Sequence, residues 1–332
     1  MHVPAIAWFL VSLAAAWSPP SVAQPSPARS ANIQALAPGV WLLPGRFERE
    51  RQPDGNSLIL EGPQGIVIVD SGRHAEHTQA LLDWVRASGQ PLRAVVNSHW
   101  HLDHLGGNAM LRAAAPAMRA YAAPAVQDAV RRRMPASATD LERMKADPQI
   151  DEATRRMVEI DLALYARRAA LEPDVLIEGP AQDLTLAGRP LRVGVAFGVS
   201  GGDLWLLDPA SGTLLVGDFV TLPVPFFDTA CPERWRASLT ELASMPFERI
   251  VPGHGPVMNR AEFDRYRTAY DRLLSCAGSS RAVGECSAGW VADLGSLLPA
   301  SGERGAHGML KYYLEQRLRA EPARTAADCA AG

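Results

Sequence analysis

One short segment of this chain restricts its possible folds and its chemistry more than any other feature. Three histidines and an aspartate (His99, His101, Asp103 and His104) fall within six residues, directly after the apolar run Leu92–Asn97. That run predicts a buried β-strand. Because side chains alternate along an extended chain, His99 and His101 point the same way, and the following turn presents Asp103 and His104 to a neighbouring point. Clustered imidazoles repel one another when protonated, so core packing alone rarely explains them.

The donor atoms of this segment are imidazole nitrogens and carboxylate oxygens, which suit zinc and related divalent ions. The loop therefore supplies ligands for one or two metal positions. The expected cofactor is zinc, as one or two ions, with another divalent metal as the alternative. The expected partner is a small-molecule substrate.

The overall charge excludes two classes of partner. Lys and Arg together number 33 and Asp and Glu 36, which gives a formal net charge of −3. A chain so close to neutral offers no electrostatic basis for binding nucleic acid or an anionic membrane. Oligomeric state does not follow from these numbers.

Strand patterns and helix patterns alternate along most of the chain. Apolar, β-branched runs are concentrated in two parts, about 40–97 and 174–216, and helical patterns surround them. Two strand-rich halves with external helices predict a sandwich of two sheets covered by helices. The stretch at about 125–171 carries no strand pattern, and we interpret it as a helical insertion that could roof a site. The C-terminal part, 259–332, is expected to be a helical extension.

The first residues are expected to be a targeting segment. Residues 3–17 form an almost unbroken apolar run that is shorter than the roughly 20 residues of a transmembrane helix, and small residues follow at 21–23. Residues 1–23 therefore predict a cleaved secretory signal, with an N-terminal anchor as the alternative. Residues 24–37 predict a disordered lead-in, and the expected location is periplasmic or secreted, without integral membrane association.

Four cysteines, all in the C-terminal third, agree with export to an oxidising compartment. They are Cys231, Cys276, Cys286 and Cys329. Three pairings are possible, and we favour Cys276 with Cys286, because the pair flanks a short loop; Cys231 would then pair with Cys329. The alternative is four reduced, buried thiols.

The histidine segment, together with three later motifs, resembles the metallo-β-lactamase superfamily of hydrolases. Asp70-Ser71-Gly72 is similar to its first acidic turn, Gly217-Asp218 to its metal-bridging aspartate, and Pro252-Gly253-His254-Gly255 to its last histidine motif. The resemblance implies an α+β fold, a four-layer αβ/βα sandwich of two mixed sheets flanked by helices, over residues 38–258. It also implies that Asp70 supports the metal loop without binding metal. The implied metal ligands are His99, His101, Asp103, His104, Asp218 and His254.

One ligand of the family pattern is missing. The family places a histidine where this chain has Val199, and no histidine lies between His104 and His254. What we call the first position would keep His99 and His101. The second position would keep Asp103, His104 and His254, and Asp218 could serve both positions. Three interpretations remain open: a single-metal hydrolase that uses the second position, a two-metal enzyme, and a catalytically degenerate binding protein.

For a hydrolase, the resemblance implies metal-assisted attack of water on an ester, lactam, thioester or similar bond. Asp103 would be the catalytic residue that orients the water and accepts its proton. The stretch from Asp218 through Trp235 to His254 resembles exported zinc metallohydrolases associated with quinoprotein systems. The loop 222–228 could line a pocket mouth or be a rigid buried loop, and His74 and His77 are expected to be solvated.

Overall fold

The fold is built on two β-sheets. The computed structural model describes residues 32–48, 50–298 and 300–320, so the predicted signal segment 1–23 lies outside the described residues. The first sheet has seven strands that follow one another in chain order. They are β1 (Gln34–Ala37), β2 (Val40–Leu43), β3 (Ser57–Gly62), β4 (Gly65–Val69), β5 (Leu92–Val96), β6 (Arg119–Ala122) and β7 (Val175–Leu176).

The second sheet has six strands, ordered β13-β12-β11-β10-β9-β8. They are β8 (Gln182–Leu186), β9 (Arg189–Ala196), β10 (Asp203–Asp208), β11 (Thr213–Leu215), β12 (Arg249–Val251) and β13 (Met258–Asn259). Both sheets are mixed, because β4 to β7 pair in parallel in the first sheet and β11 pairs in parallel with β12 in the second.

Ten α-helices surround or connect the sheets within the described residues. They are α1 (Ala75–Ser88), α2 (Leu102–Leu105), α3 (Asn108–Ala114), α4 (Pro124–Asp128), α5 (Met134–Lys145), α6 (Glu152–Ala166), α7 (Pro232–Ala243), α8 (Arg260–Ala277), α9 (Val283–Leu294) and α10 (Ala300–Tyr313). None of these helices is long and apolar enough to span a membrane.

Alternation of side chains along the strands produces the layers. In β3, Leu58 and Leu60 face a core shared with Val193 and Leu206 of the second sheet. The intervening Ile59 faces outward and packs in the cluster that holds α1 and α3. On the outer face of the second sheet, a third cluster packs β10 and β11 against α7, α8, α9 and α10. The predicted four-layer α+β sandwich is confirmed.

The prediction that residues 24–37 form a disordered lead-in is wrong for the last four of these residues. Residues Gln34–Ala37 form β1, and Gln34 pairs with Leu42 of β2. The pairing gives these backbone groups hydrogen-bond partners, which composition alone could not indicate. The part of the lead-in before residue 32 lies outside the described residues. The C-terminal part that was expected to be helical contains α8, α9 and α10 within the described residues.

The C-terminal helices are joined by a disulfide. Cys276 of α8 bonds to Cys286 of α9, with their Cα atoms 5.6 Å apart, which confirms the favoured pairing. Cys231 is also disulfide-bonded, and its predicted partner Cys329 lies outside the described residues. The predicted insertion at 125–171 contains α4, α5 and α6, and the predicted domain boundaries themselves stay a prediction.

A buried ion pair of the second sheet also forms a hydrogen bond to the first sheet. Arg189 pairs with Asp208 at 2.6 Å and donates to the Glu61 carbonyl of the first sheet at 2.7 Å. Replacing Arg189 by Met leaves a buried carboxylate without its partner, so we expect the free energy of unfolding to fall by about 3–5 kcal/mol. Urea denaturation followed by circular dichroism measures this change.

The matched control is Arg192→Met on the same strand. Arg192 pairs with Asp183, but both side chains are more than half exposed, so a loss below about 1 kcal/mol is expected. Equal losses for the two variants would contradict a special role of Arg189.

Candidate metal centre

The predicted ligands meet where four strands end. Asp70 follows β4, the histidine segment follows β5, Asp218 follows β11, and His254 follows β12. In each sheet the two strands are parallel neighbours, with Val69 opposite Val96 and Leu215 opposite Val251. Parallel pairing places the carboxyl ends of neighbouring strands side by side, so short loops from both sheets converge at one edge of the sandwich.

The residues of the second position surround a common point. His254 Nε2 lies 2.9 Å from Asp103 Oδ2, and His104 Nε2 lies 3.4 Å from His254 Nε2. Asp218 Oδ1 lies 3.2 Å from His104 Nε2 and 3.6 Å from His254 Nε2. All four residues are buried. The donor atoms of Asp103, His104 and His254 lie within 4.8 Å of one another, and so do those of His99, His104 and Asp218.

Two observations show that these residues fit a metal ion. Asp218 Oδ1 is buried and has no hydrogen-bond partner among the described residues, which is costly unless a cation balances it. The backbone also closes around the donors, because a Cβ on Gly253 would lie 1.9 Å from Asp218 Oδ1 and one on Gly55 would lie 2.4 Å from the His104 ring. The loops therefore leave no room for side chains that would separate the donors.

Asp70 determines which nitrogens face this point. Its Oδ2 accepts hydrogen bonds from His104 Nδ1 at 2.8 Å and from Ser98 Oγ at 2.7 Å. Since the Ser98 hydroxyl proton goes to Asp70, Ser98 Oγ accepts from His99 Nδ1 at 3.0 Å. With their Nδ1 atoms donating, neutral His104 and His99 both present unprotonated Nε2 atoms, the form that binds metal.

His101 is arranged differently and belongs to neither donor group. Its Nε2 donates to Thr229 Oγ1 at 3.0 Å, because the Thr229 hydroxyl itself donates to the Val199 carbonyl at 3.0 Å. His101 Nδ1 is thus unprotonated and lies 2.8 Å from His99 Nε2. Two lone pairs at this distance repel unless a proton or a cation lies between them.

Val199 itself is fully buried, and its side chain belongs to the apolar cluster that contains Trp235. Its amide donates to Asp203 Oδ2 at 3.2 Å. The Val199 carbonyl is linked to His101 through the Thr229 hydroxyl. The assignment of Val199 to the missing imidazole stays a prediction.

The charges of the site favour a metal. Burial alone would raise the pKa of Asp103, but His104 and His254 hold it well below its usual range. Burial lowers the pKa of His99 well below its usual value and that of His101 to about 4. At neutral pH the aspartate is therefore ionised and these two imidazoles are neutral, as metal ligands must be.

Burial would lower the pKa of His104 and of His254, but Asp218 and Asp103 raise both above the usual value. In the metal-free protein these two histidines therefore retain a proton to higher pH than usual. A metal that binds their Nε2 atoms displaces that proton.

Several residues of the site were missed by the sequence analysis. Arg73 lies with its Nη2 3.6 Å from Asp103 Oδ1 and forms an ion pair with Asp161 of α6. Its Nη1 also donates to Gln52 Oε1 at 3.0 Å. The helical insertion therefore reaches the metal ligands through one arginine. Arg73 directly follows the Asp70 motif, which is the only signal in the sequence that could have indicated it.

The prediction that His74 and His77 are solvated is wrong, because both side chains are buried. His74 Nδ1 pairs with Asp54 Oδ2 at 2.9 Å, and His77 Nε2 is 2.8 Å from Ser57 Oγ. Both partners come from the segment around β3, so the helix pattern alone gave no indication of them.

Four of the predicted ligands, His101, Asp103, Asp218 and His254, form part of the lining of a cavity of about 380 Å³. The loop after Asp218 lines it with Leu222, Pro223, Val224 and Phe226. A larger cavity of about 830 Å³ shares Trp100 and Thr229 with the first, but none of the predicted ligands lines it. The smaller cavity is therefore the one in which chemistry at the donors can take place.

A family comparison identifies this arrangement. The family model of the metallo-beta-lactamase superfamily matches residues 51–254, more than half of the chain. The chain belongs to the metallo-beta-lactamase superfamily. The matched segment contains all the predicted ligands and Asp70, and the family predicted from the motifs is confirmed.

Solved metallo-beta-lactamases share the fold at low sequence identity. A metallo-beta-lactamase from Pontibacter korlensis matches with a TM-score of 0.54 and 18% identity, over 72% of this chain and 98% of the other. The metallo-beta-lactamase FIM-1 from Pseudomonas aeruginosa, solved in its mono-zinc form, matches with a TM-score of 0.51 and 18% identity, over 72% of this chain and 95% of the other.

A curated relative matches only a short segment. An (R)-specific secondary-alkylsulfatase from a Pseudomonas species is 33% identical over 85 residues, which is 25% of this chain and 13% of that relative. The match therefore spans about an eighth of the length of that relative.

We predict that Asp70→Asn weakens metal binding without unfolding the protein. An amide cannot accept from both Ser98 Oγ and His104 Nδ1 through one charged oxygen, so the imidazoles lose their orientation. Loss of such a supporting hydrogen bond lowers metal affinity by about 10–100-fold. Competition with a chromogenic zinc chelator measures the affinity. Asp83→Asn, on the exposed side of α1, is the control, and equal affinities for both variants would contradict the role of Asp70.

Proposed function

We propose that the protein is a metal-dependent hydrolase that holds one ion tightly at the second position. The observation that carries this proposal is that the donor atoms of Asp103, His104 and His254 converge beside Asp218 Oδ1, at a cavity that Asp103, Asp218 and His254 line. The proposed substrate is a small molecule with an ester, lactam, thioester or similar bond, and the proposed ion is zinc, with another divalent metal as the alternative.

A bound ion would supply Lewis acidity at the carbonyl oxygen and make a nearby water more acidic. The chain supplies the rest. Asp103 accepts a proton from the attacking water, the water oxygen bonds to the acyl carbon, and the bond to the leaving group breaks as that group takes the proton. Asp103 Oδ2 faces His254, and Arg73 lies beside Oδ1, so both oxygens of the carboxylate are held in place.

Occupancy of the first position is proposed to be weaker. His99 and His101 contribute two nitrogens there, and Asp218 Oδ2 lies 3.8 Å from His99 Nε2. Three protein ligands are usual for a catalytic zinc site, and the first position lacks a third imidazole. The role of the six predicted ligands and of Asp103 as the catalytic residue is part of this proposal.

A sulfate ester is the second candidate substrate. The named alkylsulfatase supports it through its partial match, and the Arg73 guanidinium beside Asp103, with a side chain 11% exposed, supplies a cation for an anionic ester. The competing proposal is a binding protein and not an enzyme: a catalytically degenerate member of the family that binds a ligand without turnover. The quinoprotein-associated branch of the family stays a prediction.

We also propose that the protein is exported, as the apolar residues 3–17 indicate. The Cys276–Cys286 disulfide supports this, because disulfides persist mainly in oxidising compartments such as the periplasm or the exterior.

The proposed position of the ion can be tested with two alanine variants. His254→Ala removes a ligand of the second position, so we expect the tightly bound ion to be lost. His101→Ala removes a nitrogen of the first position, so we expect about one ion per chain to remain. Elemental analysis after gel filtration measures the metal content. Loss of the ion in His101→Ala and its retention in His254→Ala would reverse the assignment.

Turnover must depend on the ion if the protein is a hydrolase. We expect a chelator to abolish hydrolysis of at least one member of a panel of carboxylate ester, lactam, thioester and sulfate ester substrates, and zinc to restore it. Asp103→Asn should lower kcat by about 100-fold or more, since it removes the proton acceptor. A folded, metal-loaded protein without turnover on the whole panel would favour the degenerate binding protein.

A further inference from the structure

The wall of the cavity of about 380 Å³ is polar in one part and apolar in another. Arg73, Gln52 and Asp161 make one part polar, next to Asp103. Another part is apolar, and none of the described residues that form it is charged. That part consists of Leu222, Pro223, Val224, Phe226, Met309 and Tyr313.

Helix α10 contributes two residues of this apolar wall, Met309 and Tyr313. Residues 300–313 lie outside the segment 51–254 that the family model matches, so this part of the wall does not come from the shared family segment. The Tyr313 ring is 4% exposed and packs edge-on against Phe226, with ring centroids 6.1 Å apart. Phe226 in turn packs against the His101 ring at 5.2 Å. A short chain of aromatic contacts therefore links α10 to the metal loop.

The C-terminal region is fastened to the cavity loop by polar contacts as well. Arg317 Nε donates to Asp228 Oδ1 at 2.6 Å, and the Tyr312 hydroxyl donates to the same oxygen at 3.3 Å. Trp290 of α9 donates to the Pro223 carbonyl at 2.9 Å. These contacts join the apolar wall to α9 and to the C-terminal region, so little ordering of the wall would be required on binding.

We infer that α10 determines substrate specificity, and that the substrate carries an uncharged apolar group beside the bond that is cleaved. This inference rests on the proposed hydrolase function. Polar groups such as sugars or peptide amides would lose hydrogen bonds to water against Leu222, Phe226 and Met309 without regaining them. An alkyl or aryl group loses nothing there, and a cavity of about 380 Å³ holds one of moderate size. Met309 is half-buried, so replacing it is expected to disturb the fold less than replacing the buried Tyr313. We therefore assign Met309 as the specificity-determining residue to be tested.

Binding of n-alkanols to the zinc-loaded protein tests the wall separately from turnover. Isothermal titration calorimetry from butanol to octanol measures the affinity. We expect it to rise about fourfold per CH₂ group, the factor that corresponds to about 0.8 kcal/mol, until the wall is covered. An affinity that does not change with chain length would overturn the inference.

Two substitutions of Met309 should move the length preference in opposite directions. Met309→Trp fills space and should shorten the longest alkanol that still gains affinity, whereas Met309→Ala should lengthen it. Lys311→Ala, on the exposed side of the same helix, is the control and should leave the series unchanged. Thermal unfolding verifies that each variant is folded. Unchanged length preferences in both Met309 variants would overturn the role of α10.

The same variants are then tested with esters of increasing acyl length. A parallel shift of the preferred ester length supports both proposals. Length-dependent alkanol binding that Met309 controls, without metal-dependent turnover of any ester, would support the apolar wall and overturn the hydrolase. Metal-dependent turnover with the same KM for all acyl lengths in every variant would support the hydrolase and overturn the inference.

Discussion

The metal centre depends on one carboxylate that is not itself a proposed ligand. Asp70 leaves β4 with a φ of 59°, which turns its side chain towards the end of β5. There it accepts from the Ser98 amide at 2.7 Å, from the Ser98 hydroxyl and from His104. One group therefore anchors the backbone of the histidine segment and orients two imidazoles, so its loss affects both metal positions together.

The loop that carries His254 in the second sheet is held by similar side-chain hydrogen bonds. Asn56, which precedes β3 of the first sheet, donates through its amide to the carbonyls of Pro252 and Gly255, both at 2.9 Å. These two residues flank His254. The proposed donor set is divided between the sheets: Asn56 joins the His254 loop to the first sheet, and Asp70 orients the donors that the first sheet contributes. This explains why the ligands sit at the sandwich edge, where loops from both sheets meet without disturbing the core.

The sequence revealed those parts of the site that local pattern encodes. The predicted ligands between His99 and His104 were evident from their spacing, and Asp70, Asp218 and His254 from motifs that resemble those of the family. Arg73 with Asp161 and His101 with Thr229 were not, because these partners lie 88 and 128 residues apart. The two sheets were predicted from two strand-rich parts of the chain, whereas β1 depends on its pairing with β2, which the composition of residues 24–37 did not indicate.

The two proposed positions share supporting groups, so these groups are required for the second position whether or not the first binds an ion. Asp70 and Ser98 orient His99, and Asp70 also anchors the end of β5 and orients His104. The second position would therefore require this pair even if no ion bound at the first position. His101 has a separate partner, Thr229, whose hydroxyl is tied to the backbone of Val199. The first position thus keeps two oriented nitrogens and a neighbouring Asp218 without a third imidazole. An ion there would depend on Asp218, whose Oδ2 lies 3.8 Å from His99 Nε2, whereas its Oδ1 lies 3.2 Å from His104 Nε2, so the one carboxylate could serve both positions.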